Sequence, residues 1–179
     1  MNKRLLDAIV REAPARLDAI TGQRELPDEE RGACCTYSRI LAEVLGEFGI
    51  KAEVRAVYLI AANRLGIEYL QGKITAEEAE RRGGKYQIWG DVYGTGNQRY
   101  QHAVCYIPSW DVVVDLAMAR RGSGLVPVHS YWAKIGEFPW WLVEFRFEFY
   151  FLTYRGYVNP DKVKRAKEVI RGIIKREGG

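Results

Sequence analysis

The chain has 179 residues, of which 47% are apolar and 28% charged, the balance of an ordinary folded protein rather than a disordered or fibrous one. We expect one domain spanning residues 1–179. The net charge of +4 is mildly basic and too dispersed for a nucleic-acid-binding surface, so no specific nucleic-acid partner is expected.

The beginning of the chain carries no predicted secretory signal, because charged residues interrupt its apolar positions. No stretch approaches the length of a membrane-spanning segment. Three cysteines, two of them adjacent, make a poor disulfide framework and are typical of free thiols in a reducing compartment. These features predict a cytoplasmic protein that does not insert into a membrane.

The first third of the chain is predicted to be helical. Residues 4–20 form an amphipathic pattern with a kink or break expected at Pro14, and a polar turn follows over residues 21–31. The strongest helical pattern of the chain comes next, with a continuous apolar face made by Tyr37, Ile40, Leu41, Val44, Leu45 and Phe48. Gly49 is expected to end this helix, which must be buried.

Strands dominate the rest of the chain. Residues 53–60 predict a strand, and residues 61–83 predict two surface helices divided near Gly72, the second opened by a capping box of Thr75 and Glu78. Further strands are expected over 86–92, 101–108, 111–116 and 140–154. Asn159 and Pro160 then begin an amphipathic helix whose basic residues form either a solvated face or a site for an anionic partner. This order predicts an α+β fold.

Cys34 is a candidate nucleophile because it lies where the buried helix begins. Unpaired N–H groups and the positive end of the helix dipole lower the pKa of a thiol in that position. The backbone N–H of Cys34 is also placed to stabilise an oxyanion. The alternative is that Cys34 is a small residue of the core.

His102 and Asp115 are candidate partners of this thiol. His102 begins an apolar strand, and Asp115 is an acid within the apolar run of the next strand, where burial without a partner is costly. A turn near residues 109–110 makes the two strands a hairpin and brings the two side chains together. An imidazole oriented by a carboxylate and facing a thiol is a generalised catalytic triad.

These motifs resemble those of the transglutaminase-like superfamily. In that family Gly-x-Cys opens a helix that ends in Gly-Ile about 15 residues later, as Gly32-Ala33-Cys34 and Gly49-Ile50 do here. This spacing selects Cys34 over Cys35, which stands where family members often carry Trp. The strands of His102 and Asp115 are similar to the second and third family motifs, so the resemblance covers roughly residues 30–60 and 86–118.

The resemblance implies a papain-like fold, in which a buried nucleophile helix packs on an antiparallel β-sheet, here with additional N- and C-terminal helices. It implies Cys34 as nucleophile, His102 as base and then acid, and Asp115 as the residue that orients His102, with no cofactor. We expect a peptidase or amidase, a thiol hydrolase that acts on a peptide or another amide or ester. The alternatives are an acyltransferase, like the arylamine acetyltransferases, a crosslinking or deamidating transglutaminase, and a non-catalytic binding module.

Other chemical signals are weaker. A metal site is disfavoured because its possible ligands are adjacent or lie on opposite strand faces: Cys34, Cys35, His102, Cys105 and Asp115. The glycine-containing segments 94–98 and 120–124 are rims of a cleft or plain turns. Gln23 and Gln101 are alternative oxyanion donors, and the stretch with His129 and Trp132 predicts no particular element.

Overall fold

A computed structural model describes residues 2–22, 33–89, 102–117, 132–134, 142–148 and 159–178. The α-helices in these ranges are α1 (Lys3–Thr21), α2 (Ala33–Glu47), α3 (Arg64–Leu70), α4 (Ala76–Arg81) and α5 (Pro160–Glu177). The strands are β1 (Glu53–Ala62), β2 (Tyr86–Trp89), β3 (His102–Ile107), β4 (Val112–Val114), β5 (Trp132–Lys134) and β6 (Leu142–Glu148). The predicted α+β class is therefore confirmed.

The strands form one antiparallel sheet built around β1. The first half of β1 pairs with β3 and its second half with β2. Because Ala56 and Val57 pair with both β3 and β6, those two strands lie on opposite edges of β1. Beyond β3 the sheet continues through β4 to β5, a strand that the sequence pattern did not indicate.

The N-terminal helix is longer than predicted and is not interrupted by its proline. Asn2 caps α1 by accepting a hydrogen bond from the N–H of Leu5, and the helix continues through Pro14 to Thr21. The predicted break at Pro14 is therefore wrong. Pro14 is buried together with the apolar face of α1, so packing compensates for the backbone hydrogen bond that proline cannot make.

The C-terminal helix packs on α1 and α2. Asn159 caps α5 and Pro160 begins it, as predicted, and the buried face consists of Ala166, Val169, Ile170, Ile173 and Ile174. Several of its cations pair with carboxylates of the neighbouring helices: Lys167 with Glu43, Arg171 with Glu47, and Arg176 with Glu12. Part of the basic face is thus occupied by acidic residues of the same chain.

The two surface helices lie between β1 and β2. The division predicted near Gly72 is confirmed, since its φ is +69° and it separates α3 from α4. The hydroxyl of Thr75 accepts a hydrogen bond of 3.2 Å from the N–H of Glu78, as the capping box requires. Helix α3 begins later than predicted, at Arg64, because the residues up to Ala62 belong to β1.

The helix that carries Cys34 has the predicted buried face, with one exception. Tyr37, Ile40, Leu41, Val44 and Leu45 are fully buried. Phe48 is 38% exposed because the helix ends at Glu47 and Phe48 lies in the following turn.

A left-handed glycine forms that turn. Gly49 has a φ of +74°, and the N–H of the next residue, Ile50, donates 3.0 Å to the carbonyl of Leu45. Gly49 therefore ends α2 as predicted.

Replacing Gly49 by Ala should destabilise the protein by about 1 kcal/mol, because an L side chain disfavours a positive φ. The matched control is Gly46→Ala, inside α2, where we expect stabilisation of about 0.5–1 kcal/mol. A Cβ at either position meets no atom within 4 Å, so the two substitutions differ in backbone conformation and not in packing. Urea unfolding measures both, and equal effects would contradict this account of the end of the helix.

Candidate functional site

The site is built where α2 contacts the backbone of a single residue of β3. Ser38 donates a hydrogen bond of 3.1 Å to the carbonyl of Ala103, and the N–H of Ala103 donates to the sulfur of Cys34. Cys34 and Ser38 are four residues apart and so lie one above the other on the same face of α2. Both backbone groups of Ala103 are therefore used by α2.

The register of the sheet explains why Ala103 is available to α2. The N–H and the carbonyl of one strand residue point to the same edge. Strand β4 occupies the edge of β3 only as far as the pair Cys105↔Val114, and Ala103 lies two residues beyond it. Helix α2 thus takes the place of a strand at this point, and it brings Cys34 beside the first residue of β3.

His102 and Asp115 form a buried hydrogen-bonded pair. The Nε2 of His102 lies 2.6 Å from Oδ2 of Asp115, and the two residues are 4% and 8% exposed. The pairing of β3 with β4 places Asp115 across from Val104, so His102 reaches it diagonally. The predicted proximity is confirmed, with this diagonal offset, and the hairpin turn is a short 3-10 helix over Pro108–Trp110.

The imidazole is held in its charged form. Burial alone would lower the pKa of His102, but the charge of Asp115, its hydrogen bond and the contact with Cys34 raise it to about 10. Because Nε2 is engaged by Asp115, Nδ1 is the nitrogen left for the hydrogen bond with Cys34. The raised pKa favours the imidazolium form of the ring, which lies between Asp115 and the sulfur of Cys34.

The thiol of Cys34 has a pKa well below its ordinary value. A side-chain hydrogen bond from Cys35 contributes most, with the two Sγ atoms 4.0 Å apart. Burial opposes it, whereas the hydrogen bond and charge of His102 and the N–H of Ala103 lower the pKa further. The lowered pKa of Cys34 and the raised pKa of His102 both favour a thiolate–imidazolium pair over the neutral pair.

Cys105 shows how a cysteine of the core differs from Cys34. It is fully buried in the sheet, and burial alone raises the pKa of its thiol. A thiol in that environment is inert towards electrophiles, whereas a half-buried thiolate is reactive. The geometry therefore favours the nucleophile interpretation of Cys34 over the core interpretation.

A second polar cluster joins α2 to α1. The hydroxyl of Tyr37, one turn after Cys34, donates to Oδ1 of Asp18 at 3.2 Å and lies 3.2 Å from the hydroxyl of Thr21. All three residues are buried between α1 and α2. Sequence reasoning missed this cluster, although an acid on the otherwise apolar face of the first helix is a signal that could have indicated it.

The remaining candidates fall partly outside the described residues. Gln23, Gln101, His129 and the segments 94–98 and 120–124 lie there, and Trp132 belongs to β5. Within the ranges that the structure describes, no group of three His, Cys, Asp or Glu side chains is arranged to hold a metal ion. The possible metal ligands considered above are all inside those ranges.

Comparisons with models of protein families, with curated proteins and with solved structures found no match to this chain. The transglutaminase-like assignment therefore stays a prediction based on the motifs of Cys34, His102 and Asp115. Among the helices in the described ranges, none combines the length and apolar character needed to cross a membrane.

Replacing Asp115 by Asn should shift the reactivity of Cys34 to higher pH. Without the carboxylate charge the pKa of His102 falls, and a neutral imidazole no longer stabilises the thiolate. We expect the midpoint of the pH dependence of iodoacetamide alkylation at Cys34, followed by mass spectrometry, to rise by about 1 to 3 pH units.

The matched control is Asp111→Asn, at an acid in the same hairpin that hydrogen-bonds to the exposed hydroxyl of Tyr106. This substitution should leave the midpoint unchanged. A similar shift in both variants, or none in Asp115→Asn, would contradict the electrostatic role of Asp115.

Proposed function

We propose that this protein is a cysteine-dependent acyl-transfer enzyme, in its simplest form a thiol hydrolase that cleaves a peptide or another amide or ester. One observation carries the proposal: Cys34, at the start of a helix, is hydrogen-bonded to a buried imidazole whose other nitrogen is 2.6 Å from a carboxylate. That arrangement supplies a nucleophile, an acid–base group and its orienting residue. The resemblance to the transglutaminase-like superfamily supports the same assignment.

The acylation step follows from the charges of the pair. The Cys34 thiolate attacks the substrate carbonyl carbon, and the carbonyl electron pair moves to oxygen. The backbone N–H groups in the first turn of α2 are donors for this oxyanion, because they have no intrahelical acceptor. When the oxyanion collapses, the bond to the amine or alcohol breaks, and the imidazolium of His102 protonates the leaving group. The product is a thioester on Cys34.

Deacylation uses His102 in the opposite sense. The neutral imidazole takes a proton from a water molecule, which attacks the thioester carbonyl and releases a carboxylic acid and the Cys34 thiolate. The imidazolium formed in this step restores the starting charge pair. Asp115 orients the ring of His102 and stabilises the imidazolium each time it forms.

The alternatives differ in what resolves the thioester. An amine acceptor in place of water makes the protein an acyltransferase, or a crosslinking enzyme if both substrates are proteins. Deamidation is hydrolysis of a side-chain amide. A binding module does not need a charged thiolate–imidazolium pair, so the geometry disfavours that alternative. We favour hydrolysis over acyl transfer because water as the acceptor needs no second substrate-binding site.

The acyl-enzyme is the species to detect. The folded protein should be mixed with activated p-nitrophenyl esters of several chain lengths and, separately, with acyl-CoA, then quenched in acid and analysed as tryptic peptides. We expect the acyl group on Cys34, together with release of nitrophenol. Cys34→Ala should lose both signals, because no other described thiol is paired with an imidazole.

Cys105→Ala is the matched control, since it removes a thiol of the core and leaves the charge pair intact. It should retain the acylation. Acylation by acyl-CoA alone would favour the acyltransferase alternative. A protein that remains folded but carries no acyl group on Cys34 with any donor, or that is acylated on Cys35 instead, would contradict the proposal.

A further inference from the structure

In the proposed acyl-transfer mechanism Cys35 does no more than donate a hydrogen bond to the neighbouring sulfur of Cys34. Their Sγ atoms are 4.0 Å apart, and both residues are half-buried. The third cysteine, Cys105, is fully buried. The chain therefore contains one pair of adjacent, half-buried thiols and one thiol that is fully buried in the core.

Their chemistry is asymmetric. Cys34 has a pKa well below the ordinary value, and the thiolate is the form that peroxides oxidise. A second thiol beside an oxidised cysteine can trap it as a disulfide before further oxidation makes the damage irreversible. Cys35 is placed to be such a resolving thiol.

We propose that Cys34 and Cys35 form a reversible oxidation site, in which a peroxide oxidises Cys34 and Cys35 resolves it as an intrachain disulfide. In the first step the Cys34 thiolate attacks one peroxide oxygen, the O–O bond breaks, and the leaving hydroxide takes a proton from the His102 imidazolium. The products are water and a sulfenic acid. The thiol of Cys35 then attacks the sulfenic sulfur and displaces a second water. The two thiols together lose two electrons, which reduce the peroxide to two waters.

Geometry makes the resulting bond easy to reduce. Adjacent Cα atoms are about 3.8 Å apart, whereas disulfides usually span about 4.4–6.8 Å, and the S–S bond of about 2.05 Å is much shorter than the 4.0 Å seen between the thiols. The first turn of α2 must therefore rearrange when the bond closes. Strained disulfides have more oxidising potentials and are reduced readily by dithiols. The oxidised form is then inactive as a nucleophile, yet recoverable.

The inference rests on the same Cys34 thiolate as the proposed function, but its test measures the chemical state of sulfur and not turnover. The full chain is reduced, treated with hydrogen peroxide, and alkylated with iodoacetamide under denaturing conditions. Cleavage after Arg31 and Arg39 releases residues 32–39 with both adjacent cysteines, while Cys105 falls in the peptide 100–120. The two sites are thus read separately by mass spectrometry.

We expect the peptide 32–39 to lose two hydrogens, to escape alkylation and to recover both thiols after dithiothreitol, while Cys105 stays alkylatable. Cys35→Ser is the matched variant, because it keeps the size and polarity of the side chain but removes the resolving sulfur. In this variant Cys34 should advance to sulfinic acid, which dithiothreitol does not reduce, and the recovered fraction of Cys34 should fall several-fold.

Three results would overturn the inference. The first is sulfinic acid formation at Cys34 that is as fast in the wild type as in Cys35→Ser. The second is a disulfide that joins two chains in place of the intrachain bond. The third is oxidation of Cys34 that is no faster than that of Cys105. A protein that fails every acylation assay but forms the intrachain disulfide would refute the proposed function and leave the oxidation site standing.

Discussion

The site depends on the contact between α2 and the backbone of Ala103. An N–H and a carbonyl at the edge of a strand must find partners when they are buried, and here β4 does not extend far enough to supply them. Cys34 and Ser38 supply them instead. These two hydrogen bonds fix the position of α2 along β3. If the helix moved along its axis, the N–H and the carbonyl of Ala103 would be left buried without partners. The thiol is consequently held beside His102, the first residue of the same strand.

Two polar clusters therefore anchor α2, one to the sheet and one to α1. On the sheet side the charge pair of Cys34 and His102 is completed by Asp115, so that a buried carboxylate faces a buried cation. At the contact with α1, Tyr37 bonds to Asp18. Removal of one member of such a cluster leaves a buried polar group without its partner, which costs more than the intact contact contributes. The apolar residues of α2 are buried in the core and stabilise the helix there. The polar clusters determine its position relative to the sheet and to α1.

The helices and the hairpin could be predicted from sequence because their signals are local. An apolar period of 3.6, a left-handed glycine and an N-cap each depend on a few neighbouring residues, as at Gly49, Thr75 and Asn159. The pairing of His102 with Asp115 also followed from a short turn and from the cost of burying an acid. The break expected at Pro14 failed because tertiary packing decides whether a proline is tolerated within a helix.

The parts of the site that could not be predicted are contacts between distant segments and one local side-chain orientation. Ala103 has no side-chain chemistry, and its importance comes from where β4 ends. The approach of Cys35 to Cys34 depends on side-chain rotation at the start of a helix, which sequence does not specify. Asp18 and Tyr37 belong to different helices, α1 and α2, so no helical periodicity links them. The contacts of Ala103 and Asp18 arise from the tertiary arrangement of elements that were predicted individually.

The charge state of His102 tests the central claim most directly. The chain has only two histidines, so the ring signals can be followed by NMR as the pH is raised, with His129→Gln identifying the second set. If Cys34, His102 and Asp115 form the charge pair described, the ring of His102 is an imidazolium at neutral pH and loses its proton only near pH 10. A ring of His102 that is neutral at pH 7, with a pKa at or below the ordinary value of about 6.5, would contradict the account.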